Sequence, residues 1–597
     1  MELDHQAGKA YQEGAQEQAK EEKKTQSQVL VSLASDMYFF HDELGTAYAK
    51  AKVNDHYEVW PVRNAKFKDI LTVRYLDLSK DKDKAPGSQA MEDALKVLEA
   101  KARIYGKKQD VHLRVAEIEE SIYLDLCNDK WQVVEINKKG WKVIDESPVY
   151  FKRSKTMQSL PPPERDVSID DLRPFVNIKN ESDFKLIIAW LLSTFKEKSP
   201  FPILTLQGSQ GSAKSTTTKV LRALVDPSSL PLRTLPKEER DLSIAADNTW
   251  ILAFDNLSGL SNAMSDAFCK LSTGGGLATR KLYTDDEESV FNIMRPSILN
   301  GIEDIAKRQD LLDRSIVLNL PSIDEDRRKD EKSFWKQFNE KKASILGALC
   351  TVVSEALKEL PNTRLNQTPR MADFALWVTA AEKALGWPTG EFIRIYTGNR
   401  NQAIDQGLES DPIAVAVLIM MENKTEWEDT PANTLEQLKK CIRDERLTHG
   451  KFWPTSNKLR QRLRRIAPGL KLKGIEFIEL PRTNKGRLIR LEKLGKKPSQ
   501  PSYRHKASND KAFEHDGSMT VNTNHDGTTD MHDGYKNQPT WKKAHYINVY
   551  DGSDDSDGKI PDLSKKDIKQ TYLNEDDFPF ELTEKDKELI KKLNREH

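Results

Sequence analysis

"LTLQGSQGSAKSTTTKVL", from Leu204 to Leu221, decides how the middle of this chain is read. The apolar run "PILTL" has the length of a short buried strand, "QGSQGSA" is a turn, and "KSTTTKVLRALV" spaces Val220, Leu221, Leu224 and Val225 on one helical face. Strand, glycine-bearing loop and helix in this order make a phosphate cradle. Gly208 and Gly211 free the turn. The backbone amides of Ser209, Ser212, Ala213 and Thr216 and the helix N-terminus would face phosphate, Lys214 would reach the β- and γ-phosphates of ATP, and Ser215 would ligate Mg²⁺. Ala213 stands where the pattern G-x-x-x-x-G-K-[S/T] has its last glycine. Its methyl costs little if the residue takes the negative φ of a first helical turn, and that is the expectation here.

Three further pieces follow in order. "NTWILAFDNLSGL" is a buried strand ending in Asp255, an acid suited to holding Mg²⁺, but the next position is Asn256 where a second acid would polarise water. Asn256 would then orient water without acting as a base, or Glu303 or Asp304 of "NGIEDIA" would serve instead. "PSILN" ends a third strand at Asn300, placed in order to read the γ-phosphate. "DLLDRSIVLNL" sets Arg314 just before a fourth strand, from which an arginine can reach a neighbouring subunit's nucleotide.

Together these pieces resemble the AAA+ ATPase core, in the helicase branch that includes superfamily 3 and MCM-like proteins, over about residues 170 to 400. The resemblance implies an α/β P-loop core at 170–330 and a helical lid at 331–405. Arg370 of "TPRMADFALWVTAAEKALGW" would be a second sensor of the nucleotide. It also implies a homo-oligomeric ring, expected as a hexamer, and a hairpin within "TGGGLATRKLYTDDEESVFNIMRP" that offers Arg280 and Lys281 to DNA. The run from "FHDELGTAYAKAKVNDHYEVWPVR" to the basic C-terminal part is similar to helicase or primase-helicase-like ATPases of phages and integrated mobile elements. That implies a role in replicating such an element.

The whole chain has 597 residues and equal numbers of basic and acidic residues, 93 each, so it is not a uniformly basic coat for nucleic acid. Charge is instead local. Between Lys451 and Lys497 fifteen Lys or Arg face three Glu. "SNKLRQRLRRIAPGL" puts Leu459, Leu463 and Ile466 on one stripe, and "IEFIEL", "PRTNKG" and "RLIRL" read as a hairpin. A helix followed by a basic hairpin is the winged-helix pattern for 406–494. It offers Arg460 and Arg464 from the helix and Arg482, Lys485 and Arg487 from the wing.

Around this lie a flexible start at 1–29, an α+β domain at 30–158 and a proline-rich linker at 159–169. A polar tail at 495–597 has the composition of a disordered segment. A primase would need a D-x-D pair, and "SIYLDLCND" has Cys127 two residues after Asp125, so polymerase chemistry is not assigned. The tail repeats "HDG" at His515, His525 and His532, read as a solvated spacer rather than a metal tract. "NEDDFPFE" at 574–581 offers acids beside Phe578 and Phe580 to a replication partner. Four separated cysteines, Cys127, Cys269, Cys350 and Cys441, suggest neither disulfides nor zinc. With no apolar run long enough for a bilayer, the bacterial cytosol is the expected compartment. The function expected is an ATP-dependent ring-forming DNA helicase. The rivals are an origin-binding switch or loader ATPase without unwinding, and a DNA-binding protein with a structural nucleotide.

Overall fold

The computed structural model describes residues 24–78, 84–275, 277–280, 288–291, 293–302, 305, 308–442, 453–483 and 486–494. Lys281, Glu303, Asp304, Lys485, the three "HDG" histidines and the segment 574–581 lie outside them.

The central sheet follows from four apolar strands too hydrophobic to face water on either side. These are β1 (Ile203–Gln207), β2 (Leu252–Leu257), β3 (Ser297–Gly301) and β4 (Ser315–Asn319), all parallel and in the spatial order β2-β3-β1-β4. Every residue of β1 is buried. Helix α1 (Lys214–Val225) runs from the loop after β1, and Val220, Leu221, Leu224 and Val225 bury its inner face. Because β3 lies between β1 and β2, the C-terminal end of β3 is brought beside both the loop after β1 and the end of β2.

The helix at Glu181–Ser193 is buried over most of its length, and three tryptophans cover it and its surroundings. Each satisfies its indole N–H on a carbonyl that a helix end or strand start leaves over: Trp190 on Pro202 O, Trp250 on Thr194 O and Trp377 on Leu192 O, all at 3.0 Å. Beyond the sheet come the long helix α2 (Glu331–Glu359) and helix α3 (Glu391–Glu409).

N-terminal to this core, the strand-like and helix-like stretches form two four-stranded sheets, with Phe40, Tyr48 and Val59 of the first packed against Val111, Trp131 and Tyr150. A sheet of strands 56–61, 47–53, 38–41 and 107–108 packs under helices Gln26–Leu33, Ala65–Leu78 and Ser88–Ile104, with its own apolar core of Leu30, Phe67, Leu71, Leu95 and Leu98. The second sheet is an antiparallel meander over 115–144, and its Ile122, Leu124, Val134 and Ile136 join the apolar core of the central sheet. The join is specific. Trp141 donates to Thr351 Oγ1, Ser354 donates to Asn137 O, and a Cβ on Gly347 of α2 would lie 1.7 Å from Glu164 O, so the proline-rich segment presses directly on α2. Alternation of apolar residues in the sequence reports a buried strand face without reporting which core buries it.

At the C-terminal side come helices Pro412–Met421 and Pro431–Cys441, strand β5 (Glu426–Asp429) between them, and then helix α4 (Ser456–Leu472). Strands β6 (Ile475–Thr483) and β7 (Gly486–Lys493) complete an antiparallel sheet in the order β5-β7-β6. Leu459, Leu463, Ile466 and Leu470 of α4 pack into it.

Candidate nucleotide site and nucleic-acid surface

The loop after β1 is shaped by close backbone approach. A Cβ on Gly208 would sit 2.6 Å from Leu320 O, and the residue has φ +152°, so only glycine fits. Leu320 N–H donates to Gln207 O, and Asn177 donates through Nδ2 to both Ser212 O (3.0 Å) and Pro321 O (2.7 Å), clamping the loop against the segment after β4. Ser212 is buried and its hydroxyl donates to Ser209 O at 2.9 Å, while Thr216 is half-buried in the first turn of α1.

Ala213 corrects an expectation. It has φ +55° and ψ +29°, the left-handed conformation of the glycine it replaces, rather than the negative φ of a first helical turn. A left-handed alanine costs roughly 1–2 kcal/mol, because Cβ crowds the following carbonyl. The contacts of Asn177 and Ser212 hold the loop in this shape.

Lys214 turns its ammonium into the loop, donating to Gly208 O and Ser209 O at 2.8 Å each and to Ser212 Oγ at 3.3 Å. Burial lowers its pKa below the usual lysine value, and Asp255 partly offsets this. Ser215 Oγ donates to Asp255 Oδ2 at 2.7 Å. Asn300 is fully buried, donates through Nδ2 to Asp255 Oδ1 at 3.2 Å and accepts from Thr218 Oγ1 at 2.9 Å. Lys214, Ser215, Asp255 and Asn300, drawn from two strand ends and one helix start, thus converge on one place. In this arrangement Asn300 orients Asp255 with both ends of its amide engaged.

Asn256 stands apart from that cluster. It lies in the register shift between Phe254 and Leu257, with φ +58°, and is exposed. The shift lets Asp255 reach Ser215 while the next side chain leaves the strand's alternation.

The arginines divide by strand end. Arg314 precedes β4, whereas the phosphate-loop residues meet the chain just after β4. A five-residue strand spans roughly 17 Å. Arg314 is half-buried and donates through Nη1 to Asp310 O at 3.0 Å, leaving its buried Nε without a partner. Arg370 pairs with Asp313 at 3.2 Å, and Arg400 pairs with the same carboxylate at 2.6 Å. Arg370 is therefore at the strand end away from its own chain's loop after β1. The residue that does approach the loop is Arg328: its Nη2 lies 3.6 Å from where a Cβ on Gly211 would be, and its side chain is 57 % exposed. "DRRKD" reads in the sequence as a solvated charge run, and nothing in its spacing singles Arg328 out.

The expected hairpin between β2 and β3 is present in the backbone, with strands Leu277–Arg280 and Glu288–Phe291 antiparallel and Arg280 opposite Glu288. In the C-terminal sheet, Arg482 on β6 faces Arg487 on β7 directly across the ladder, and both are exposed. Like charges placed directly opposite are unfavourable without a counter-ion. Arg464 instead forms two hydrogen bonds with Glu479, one at 2.7 Å, and holds that carboxyl below its usual range. Arg460 is half-buried with no ion-pair partner among the described residues.

Residues 169–395 match a family model described as actinomycete integrative conjugative element replication protein, and residues 413–506 match one described as AICE RepA C-terminal domain. In these two segments, in this order, the chain is similar to a replication protein of integrative conjugative elements, and a mobile-element replication role fits. Two solved structures are similar at 12 % identity: "The A form apo structure of NrS-1 C terminal region-CTR" and a further apo structure of the same region. Each covers 79 % of this chain and 99 % or 100 % of its own, with a TM-score of 0.34. A likeness at that score carries none of the argument here. No curated protein is found to match the chain. Among the described residues no helix is long and apolar enough to cross a membrane.

Proposed function

We propose that the chain is an ATP-hydrolysing motor of the AAA+ type that acts on DNA as a replicative helicase of a mobile element. The observation that carries this reading is the hydrogen bond from Ser215 to Asp255 at the C-terminal ends of parallel strands, one residue after a lysine drawn into a glycine-shaped loop. The residues fit ATP and Mg²⁺. Gly208 lets the loop close against Leu320 O, Lys214 offers an ammonium hydrogen-bonded only to neutral oxygens, and Ser215 and Asp255 are paired oxygen donors of the hard kind Mg²⁺ takes. When bound, ATP with Mg²⁺ would supply a phosphoryl group whose transfer to water releases free energy.

The chain's own residues divide the remaining work. Lys214 would exchange its carbonyl partners for phosphate oxygens. Ser215 and Asp255 would hold the metal, and Asn300 keeps Asp255 turned toward Ser215. Arg328 is placed to meet the nucleotide within one subunit, whereas Arg314 could meet only a nucleotide held by another copy of the chain. The order helix, strand, helix, helix, hairpin at 412–493 supports a winged-helix reading, with the Arg482/Arg487 pair a place where a DNA phosphate would relieve like-charge repulsion.

ATP hydrolysis by the full chain, with and without single-stranded DNA, tests this. Stimulation by DNA that disappears in Lys214→Ala, followed by strand displacement on a forked duplex, is the expected result. Hydrolysis stimulated by DNA with no strand displacement would favour the switch or loader. ATP binding with no turnover would remove the motor.

A further inference from the structure

Behind the phosphate loop, on the outer side of α1, lies a cavity of about 320 Å³ between that helix, the turn 227–231 and α2. Its charged lining has one sign: Lys219 and Arg222 from α1 and Lys342 from α2 border it, and among the described residues no carboxylate does. Trp335 and the amide of Asn339 complete the rim on the α2 side.

The three cations are under-compensated to different degrees. Arg222, 1 % exposed, donates to Leu230 O and Pro231 O and lies 3.7 Å from Asp226, yet its Nε has no hydrogen-bond partner. Asp226 is already shared, since it also accepts from Arg114 Nε at 3.1 Å and from Ile251 N at 3.1 Å. Lys219 and Lys342 make no ion pair or hydrogen bond among the described residues. Burial pushes the Lys342 ammonium down to about 8, with the Arg114 charge adding to the effect. Lys219 and Lys342 are half-buried, and holding cations there with a single shared carboxylate nearby is costly, a cost that an anion in the cavity would offset.

We infer that this cavity is a second anion site, distinct from the phosphate loop, that takes the phosphate of one nucleotide unit. Lys219 and Lys342 would flank the phosphate, and Trp335 offers the base an aromatic surface. The size agrees, since small-ligand pockets begin at roughly 300 Å³, enough for one nucleotide and too small for a helix or a duplex. The same chemistry is offered by a free nucleotide and by one unit of a single strand laid across α1 and α2. The inference is independent of the phosphate-loop reading.

The test uses the full chain carrying Lys214→Ala, so that the phosphate loop contributes little, titrated calorimetrically with inorganic phosphate, with dAMP and with an oligothymidylate. Binding of dAMP or the oligomer should weaken at least tenfold on adding Lys342→Met. Asn339→Asp, an exposed change at the rim that leaves the fold intact, should weaken it severalfold by placing an acid there. Tight dAMP binding lost in both variants identifies a free nucleotide as the source. Oligomer binding lost in both, with dAMP weak, identifies single-stranded DNA. Inorganic phosphate binding lost in both, without preference for either nucleotide probe, would overturn the nucleotide assignment. Binding of the probes unchanged by both substitutions, or no binding of any probe, would overturn the site. Lys342→Met alone on an otherwise unaltered chain should leave ATP affinity at the phosphate loop unchanged, which separates failure here from failure of the proposed function.

Discussion

The two ends of strand β4 are built on opposite principles. At its C-terminal end, near the phosphate loop, Ser215, Asp255, Asn300 and Thr218 are partnered with one another, and Lys214 rests on neutral oxygens. At its N-terminal end Asp310 and Asp313 serve as hubs for Arg308, Arg314, Arg370 and Arg400 through ion pairs and carbonyl contacts. The first end holds a few polar groups in fixed orientation, which suits recognition of a small charged ligand. The second holds several part-exposed cations on shared acids, an arrangement that can be traded for another partner. Residues that look equivalent when a motif is read along the chain thus fall on faces about one strand length apart.

The substitution that should separate these ends most sharply is Lys214→Ala. It should lower ATP hydrolysis by about 10²-fold or more, since a positioned charge on the transferring group is lost, with little change in Tm. Retained turnover would mean that the loop is not the catalytic end. Asn300→Ala comes next. It takes the Asn300 partner from one oxygen of half-buried Asp255 and leaves Thr218 Oγ1 with Lys214 O alone, which should cost about 1–3 kcal/mol in denaturant unfolding as well as slowing hydrolysis. A variant of unchanged stability would show that this amide is not holding Asp255.

In the C-terminal sheet, if it contacts DNA as proposed, the double change Arg482→Ala with Arg487→Ala should weaken DNA binding severalfold and flatten the log–log salt dependence by about 2. An unchanged slope would move DNA contact away from the wing. Ala213→Gly should stabilise the chain by about 1 kcal/mol, because glycine accepts the left-handed conformation without steric cost. Loss of stability would instead favour the negative φ expected from the sequence. Arg370→Ala should produce the smallest effect, leaving ATP affinity of the isolated subunit within about twofold. A large loss there would erase the distinction between the two ends of β4.

Particular residues show what was legible in advance. Lys214, Ser215, Asp255 and Asn300 were readable because each stands at a strand end or helix start, and a parallel sheet gathers its strand ends on one edge. Arg328 was not, since it reaches the loop through a turn after β4 that leaves no periodic signal. Nor was the placement of Arg370 at the same end of β4 as Arg314, because helical spacing reveals which face is apolar but not toward which end of a sheet the helix returns.

The sequence by itself determined the strand–loop–helix unit, the apolar strands of the sheet and the basic helix-and-hairpin near the C-terminus, because each rests on local pattern and short-range sterics. Only the tertiary structure decided that Ala213 adopts a glycine's conformation, that the meander at 115–144 joins the central core, and that three cations border a cavity with no carboxylate in its lining among the described residues. Those outcomes depend on contacts between segments distant in the chain, where packing from outside a segment overrides what the segment would choose alone.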